Sequence, residues 1–132
     1  MCGSHTTTDG KFSFYVCDIF EEYLRDKLRC AINAVWDRGS VVAINVEDHQ
    51  RYVDLLDVIT TPDARILLVT MEYDPAKWAG PPHNLNRSDL ERCFRGFKIE
   101  HLEFQDIAEQ HDFAARFGVD WLNEGAYLLT KL

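Results

Sequence analysis

The sequence contains no C-x-x-C pair, its four cysteines standing at positions 2, 17, 30 and 93. That spacing suits neither a zinc knuckle nor a small disulfide scaffold, so Cys2, Cys17, Cys30 and Cys93 read as reduced thiols of a cytoplasmic protein. His5, His49, His101 and His111 share no ligand spacing either, and no metal is expected. Long apolar runs are missing. None approaches the ~20 residues that cross a bilayer, and the opening MCGSHTTTDGK has no hydrophobic signal region. Residues 1–10 read as a polar tail, with Gly3 out of place for myristoylation. Positive charge is scarce, with 14 Lys and Arg against 22 Asp and Glu for a net charge of −8. Such a surface repels phosphates, so neither nucleic acid nor an anionic membrane is an expected partner. There is no glycine-rich cofactor loop, no Ser/His/Asp or Cys/His arrangement, no internal repeat and no low-complexity stretch.

What is present fits one domain, since 132 residues with 46% hydrophobic content can bury an ordinary core. Phe12 to Cys17 is an aromatic-rich strand candidate. Residues 20–30 are charged, with Phe20, Tyr23, Leu24 and Leu28 spaced for a short surface helix or an irregular connection. A second strand fits 31–36, ending at a W-D-R-G turn. The apolar positions Tyr52, Val53, Leu55, Leu56 and Ile59 predict a helix over 46–59, stopped by Thr60, Thr61 and Pro62. Arg65 to Met71, R-I-L-L-V-T-M, is the strongest strand signal. Its nearly continuous apolar character predicts burial on both faces, as in a parallel sheet. A loop over 73–87 carries Pro75, Gly80, Pro81 and Pro82. Ser88 and Glu91 form an S-D-L-E capping box opening a helix that Gly96 ends. Further strands fit 97–104 and 126–132, joined by a polar stretch with a short helix finishing at Gly118. Alternating strands and helices indicate an α/β fold with a largely parallel sheet.

Three phrases stand in fixed order: W-D-R-G at 36–39, E-Y-D-P followed by G-P-P across 72–82, and L-L-T-K at 128–131. Together they resemble the C-terminal half of the thiopurine S-methyltransferase family, from Lys11 to the end of the chain. The resemblance implies the C-terminal part of a Rossmann-like class I methyltransferase. In that fold the strand order is 3-2-1-4-5-7-6, strand 7 is antiparallel, and helices flank both faces. About five strands, equivalent to strands 3 to 7, are then expected in this chain, mostly parallel with an antiparallel last strand.

The resemblance also implies S-adenosylmethionine as cofactor and assigns residues to it. Asp18 and Ile19 follow the third strand of the family, where the carboxylate accepts from the adenine amine and Ile19 packs on the ring; the alternative is an Asp that caps the next turn. Arg38 matches the family's active-site arginine, placed to bind substrate and cofactor, with a surface ion pair to Asp37 or Glu47 as the alternative. Asp37 reads as orienting Arg38 or the turn. Trp36 reads as core packing or pocket wall. Tyr73, Pro81 and Pro82 belong to a loop that covers the site or only shapes itself. His83 departs from the aromatic residue expected after G-P-P.

The function implied is methyl transfer from S-adenosylmethionine to the sulfur of an aromatic or heterocyclic thiol, with no strong general base and no catalytic residue assigned. The family's cofactor loop, the acid that binds its ribose and the N-terminal lid have no counterpart here. Residues 11–132 therefore read as a partial methyltransferase domain with impaired activity. Without strands 1 and 2, the strand at 31–36 becomes an apolar edge, and self-association through it is expected, unless 12–17 pairs with it directly. Other readings are a non-catalytic remnant that binds a protein, or an enzyme of the same fold with another small acceptor.

Overall fold

The computed structural model describes residues 2–132. Its centre is the segment with the strongest strand signal, now β4 after three earlier strands. The chain order is β1 (Gly3–Thr6), β2 (Ser13–Val16), α1 (Glu22–Lys27), β3 (Ile32–Arg38), α2 (His49–Ile59), β4 (Thr60–Glu72), α3 (Arg87–Cys93), β5 (Phe97–Asp106), α4 (Phe113–Phe117) and β6 (Asn123–Lys131).

The main sheet has four strands in the order β3-β4-β6-β5. β3 and β4 are parallel, and β6 runs antiparallel to both β4 and β5. The expectation of about five strands is corrected to four, while the order is the 4-5-7-6 part of the order the resemblance implied, with β3, β4 and β5 running one way and the last strand, β6, antiparallel to them. Inserting the last strand between β4 and β5 leaves one parallel pairing and two antiparallel ones. Pro62, which has no N–H to donate, falls where the β3–β4 register jumps from Ile32–Thr60 to Ala34–Arg65.

β4 is buried on one face and not on both. Ala64, Ile66, Leu68 and Thr70 are buried while Arg65 and Leu67 are exposed. The reason is that α2 and α3 cover a single face of the sheet. There Tyr52, Val53 and Leu56 of α2 and Leu90 of α3 pack on Ile66, Leu68, Tyr127 and Leu129. The opposite face carries Trp36 and Leu67 in the open.

The supposed polar tail is a hairpin strand. Residues 3–6 pair antiparallel with 13–16, from Gly3 opposite Val16 to Thr6 opposite Ser13. The T-T-D-G stretch closes the turn: Gly10 takes φ +71°, and Asp9 Oδ1 accepts from Thr7 Oγ1 at 2.6 Å and from the Lys11 amide at 3.0 Å. Residues 12–17 therefore lie in a separate two-stranded sheet, and do not pair with β3.

Other boundaries shift for local reasons. The box that opens α3 is Asn86 with Asp89, not Ser88 with Glu91, since the Asn86 side chain accepts from the Asp89 amide and the Asp89 carboxylate accepts from the Asn86 amide. A single 3-10 turn, Val46–Asp48, precedes α2. The lysine of L-L-T-K caps the end of α2, with Lys131 Nζ donating to the Asp57 carbonyl at 2.8 Å and the Thr60 carbonyl at 2.9 Å. Among the described residues no helix is long and apolar enough to cross a membrane.

Candidate functional site

The W-D-R-G phrase straddles the carboxyl end of β3, and its four residues do four different things. Trp36 is neither core nor pocket wall. It stands 72% exposed on the uncovered sheet face. Asp37 is only 1% exposed and holds the turn together. Its Oδ2 accepts from the Tyr52 hydroxyl at 2.7 Å, and its Oδ1 accepts from the Ser40 amide at 3.0 Å, with the Val41 amide also in reach. Burial first, then the Asp37 charge, pushes the Tyr52 phenol far up, so Tyr52 stays a donor. Gly39 turns the chain at φ +102°, a conformation that disfavours other residues.

Arg38 is aimed the other way, into a cavity of about 590 Å³ at the carboxyl ends of β3 and β4. Ligands of open α/β sheets bind at this end of the strands. The cavity's apolar lining includes Val42, Val69, Met71, Ile107 and Phe113, with Pro81 and Pro82 closing one side. Its polar lining is Arg38, Glu124, Gln110 and His111, with Thr70 at the floor. Arg38 lies 3.7 Å from Glu124, and its side chain is 63% exposed. A pair that long and that wet is worth ~0–1 kcal/mol. The guanidinium therefore keeps its capacity to bind an anion, and the surface pairing expected with Asp37 or Glu47 is replaced by one with Glu124.

Tyr73 lies beneath the loop and not in this cavity. It is 2% exposed, donates from its hydroxyl to the Pro82 carbonyl at 2.8 Å, and donates from its amide to Asn84 Oδ1 at 2.9 Å. Its phenol is pushed up by burial. It also lines a second cavity of about 300 Å³ with Glu72, Asp74 and Trp121. The loop is tied down at two further points, by the His83 amide to the Val42 carbonyl at 2.6 Å and the Leu85 amide to the Met71 carbonyl at 2.8 Å. Trp78 leans on Tyr73 and stacks on Phe117 at 3.9 Å between ring centroids, and Phe117 lies parallel to Phe113 at 5.8 Å. One aromatic column thus connects the G-P-P loop to the cavity wall formed by 107–113. Tyr73→Phe removes the bond to Pro82 and is expected to cost ~1 kcal/mol. The same change should speed amide exchange at His83 and Leu85, which hydrogen exchange resolved by residue can read.

Asp18 and Ile19 do not line the cavity around Arg38. Asp18 is exposed, its Oδ1 accepts from the Phe20 amide at 2.9 Å, and its carbonyl accepts from the Glu21 amide at 3.0 Å. This is the turn-capping geometry. Ile19 packs against the main core. Sequence reasoning missed Phe113, His111, Gln110 and Glu124. Phe113 and Phe117 are four apart and could have been read as one helix face, but the segment around them is polar. Glu124 gave no signal, because only the β4–β6 pairing carries it to Arg38.

The family model for thiopurine S-methyltransferases matches residues 2–132 of the chain, which extends the resemblance back through the hairpin. The thiopurine S-methyltransferase of Mus musculus is 38% identical over 130 residues, covering 95% of this chain and 51% of the relative. That of Vibrio atlanticus (strain LGP32) is 34% identical over 130 residues, covering 96% of this chain and 59% of the relative. The chain spans about half the length of the curated relatives it matches. A solved structure described as a type 11 methyltransferase from Sulfolobus solfataricus superposes with a TM-score of 0.51 at 11% identity, over 81% of this chain and 54% of that one. At that identity the likeness shows the fold. The family implies S-adenosylmethionine as methyl donor. With its matched residues running from 2 to 132, the chain belongs to the thiopurine S-methyltransferase family.

Proposed function

We propose that the chain serves S-adenosylmethionine-dependent methyl transfer to the sulfur of an aromatic or heterocyclic thiol, in the cytoplasm. The observation that carries this reading is the convergence of Arg38 with Pro81 and Pro82 on one cavity at the carboxyl ends of two parallel strands. The donor supplies an electrophilic methyl group on a sulfonium, which leaves as a neutral thioether. The chain's residues handle the acceptor. Arg38 binds the anionic form of the thiol and favours its ionisation, so no general base is required. Val69, Met71, Phe113 and the two prolines give an aromatic ring an apolar slot and strip water from the sulfur. The Tyr73 and Trp78 supports hold that slot in shape before the acceptor arrives, which limits the ordering cost of binding.

The residues around the cavity fit the reacting end of the donor, with the Glu124 carboxylate suited to a sulfonium. They include no acid placed for ribose hydroxyls and no glycine-rich backbone cradle. Asp18 and Ile19 stay assigned to the adenine by resemblance. Binding of the donor by these 132 residues is accordingly proposed to be weaker than in the longer relatives, and turnover slower. Calorimetric titration of S-adenosylhomocysteine into the folded chain is the test. Saturable binding at micromolar concentration supports the reading, and a folded chain that takes up no ligand overturns it. A panel of thiols set against halide or thiocyanate acceptors then separates a thiol enzyme from one of the same fold with another small acceptor.

A second reading, protein docking, is favoured by the uncovered sheet face. Trp36 on β3 and Leu67 on its neighbour β4 are exposed there beside the free edge of β3. Self-association through this edge belongs to that reading, and light scattering of the purified chain checks it: a dimer supports it and a monomer at high concentration counts against it.

A further inference from the structure

The hairpin brings together three donor atoms that the sequence keeps far apart. Gly3 lies opposite Val16, so one step further along the ladder Cys2 falls opposite Cys17. The Thr7 amide donates to the Phe12 carbonyl, which makes that facing pair hydrogen-bonded. Pairs alternate along an antiparallel ladder, so Cys2 and Cys17 occupy a non-hydrogen-bonded position, where facing side chains approach closest. Thr6 and Ser13 occupy the same kind of position and their hydroxyls meet at 2.9 Å. The turn after β2 then folds back, with the Glu21 amide donating to the Asp18 carbonyl at 3.0 Å. It returns the Glu21 carboxylate to the two thiols. The sulfurs of Cys2 and Cys17 and an oxygen of Glu21 all lie within 4.8 Å of one another.

We propose that Cys2, Cys17 and Glu21 form a binding site for a thiophilic divalent cation, zinc by its donor chemistry. Thiolate and carboxylate both ligate zinc, and tetrahedral zinc sets donor-to-donor edges of about 3.3–3.8 Å given metal–ligand distances near 2.0–2.3 Å. Small side-chain rotations close the observed spacing to that value, and the fourth position is left to solvent. A cross-strand disulfide is the competing use of the two cysteines, but it has no use for the third donor. The cation uses all three.

The protons must balance. Each thiol gives up one, so uptake of one zinc ion releases two protons to solvent and forms two zinc–sulfur bonds. The Cys17 thiol is pushed up to about 11, first by its hydrogen bond with Cys2, then by burial and by the Glu21 and Asp18 carboxylates. Lys27 faces the same group and is itself held up, first by Tyr23 and also by Cys2. Its ammonium opposes the cation and favours the thiolates. Protons and the cation compete for the same sulfurs, so affinity should rise as pH rises. A cation there ties the start of β1 to the turn that leads into α1, and stabilises the hairpin by mass action.

The test is titration of the full chain with cadmium under a phosphine reductant, following the thiolate-to-metal charge-transfer band, and then displacement by zinc. One equivalent should saturate the band, and zinc should remove it. Cys17→Ser should abolish it, Glu21→Gln should weaken binding by about tenfold, and Cys30→Ser should leave it intact. Circular dichroism checks that each variant folds. A band that survives in Cys2→Ser with Cys17→Ser, or an absence of uptake by the folded chain, overturns the site. In a parallel sample exposed to air without the reductant, oxygen taking up the two electrons, a chain two hydrogen atoms lighter that lacks two titratable thiols, together with no uptake by the reduced chain, identifies a cross-strand disulfide as the use of the pair and overturns the site.

Discussion

Asp37→Ala is expected to lower stability by ~3–5 kcal/mol, because it removes the acceptor for three donors in a buried turn. The Tyr52 hydroxyl and the Ser40 and Val41 amides all point at this carboxylate. With Asp37 at 1% exposure, water has poor access to replace it. A chain of this size has a total stability of ~5–15 kcal/mol, so the loss is a large share of it. Thermal melting should show the midpoint fall by ~10–20 °C. Asp37→Asn keeps one acceptor oxygen and should cost less. Tyr52→Phe deletes one donor and its own hydroxyl together, and should cost ~1–2 kcal/mol. The two changes share a partner, so the double variant should be less damaged than the sum. A shift below ~1 kcal/mol for Asp37→Ala would mean that the turn finds other acceptors.

Arg38→Ala, one residue on, should do the reverse. Its side chain is 63% exposed and its ion pair with Glu124 is long, so the melting midpoint should move little. Function should suffer. Losing a charge-assisted contact to an anionic sulfur heterocycle costs ~1.5–3 kcal/mol, or about 10–150-fold in kcat/KM for an aromatic thiol. Where turnover of the chain is slow, the same factor should be visible in the affinity for the thiol. Arg38→Lys should recover only part of the loss, since a point charge replaces a planar fork. Unchanged thiol methylation or thiol affinity in Arg38→Ala would remove Arg38 from the site. Neighbouring residues of one four-residue phrase are thus expected to divide between holding the fold and meeting the ligand.

That division marks how far the sequence reaches. W-D-R-G, E-Y-D-P and G-P-P pointed to Arg38, Pro81 and Pro82 as neighbours, and the structure brings all three to one cavity. They were legible because each sits in a short phrase with unusual turn chemistry next to a strand. The same phrases misplaced Trp36 and left open whether Tyr73 covers the site or shapes its loop, which its bond to the Pro82 carbonyl answers as shaping the loop. An exposed Trp and a buried Tyr beside a cavity look alike in one dimension, and only the covering of one sheet face decides between them. The far wall at 107–113 was illegible for a related reason. Its apolar residues are too few to give a period, and their packing depends on Trp78, which comes from another loop.

The amino-acid sequence by itself determined the α/β class, the strand at 65–71, a helix within 46–59 and the family, because periodicity and motif spacing are local and act before any long-range contact forms. Tertiary structure alone decided that residues 3–6 turn back on 13–16, that one face of the sheet is left open, and that Cys2, Cys17 and Glu21 meet. Each of these depends on which backbone edges pair. That choice is made by the total burial and hydrogen bonding of the assembled sheet, and no single segment encodes it.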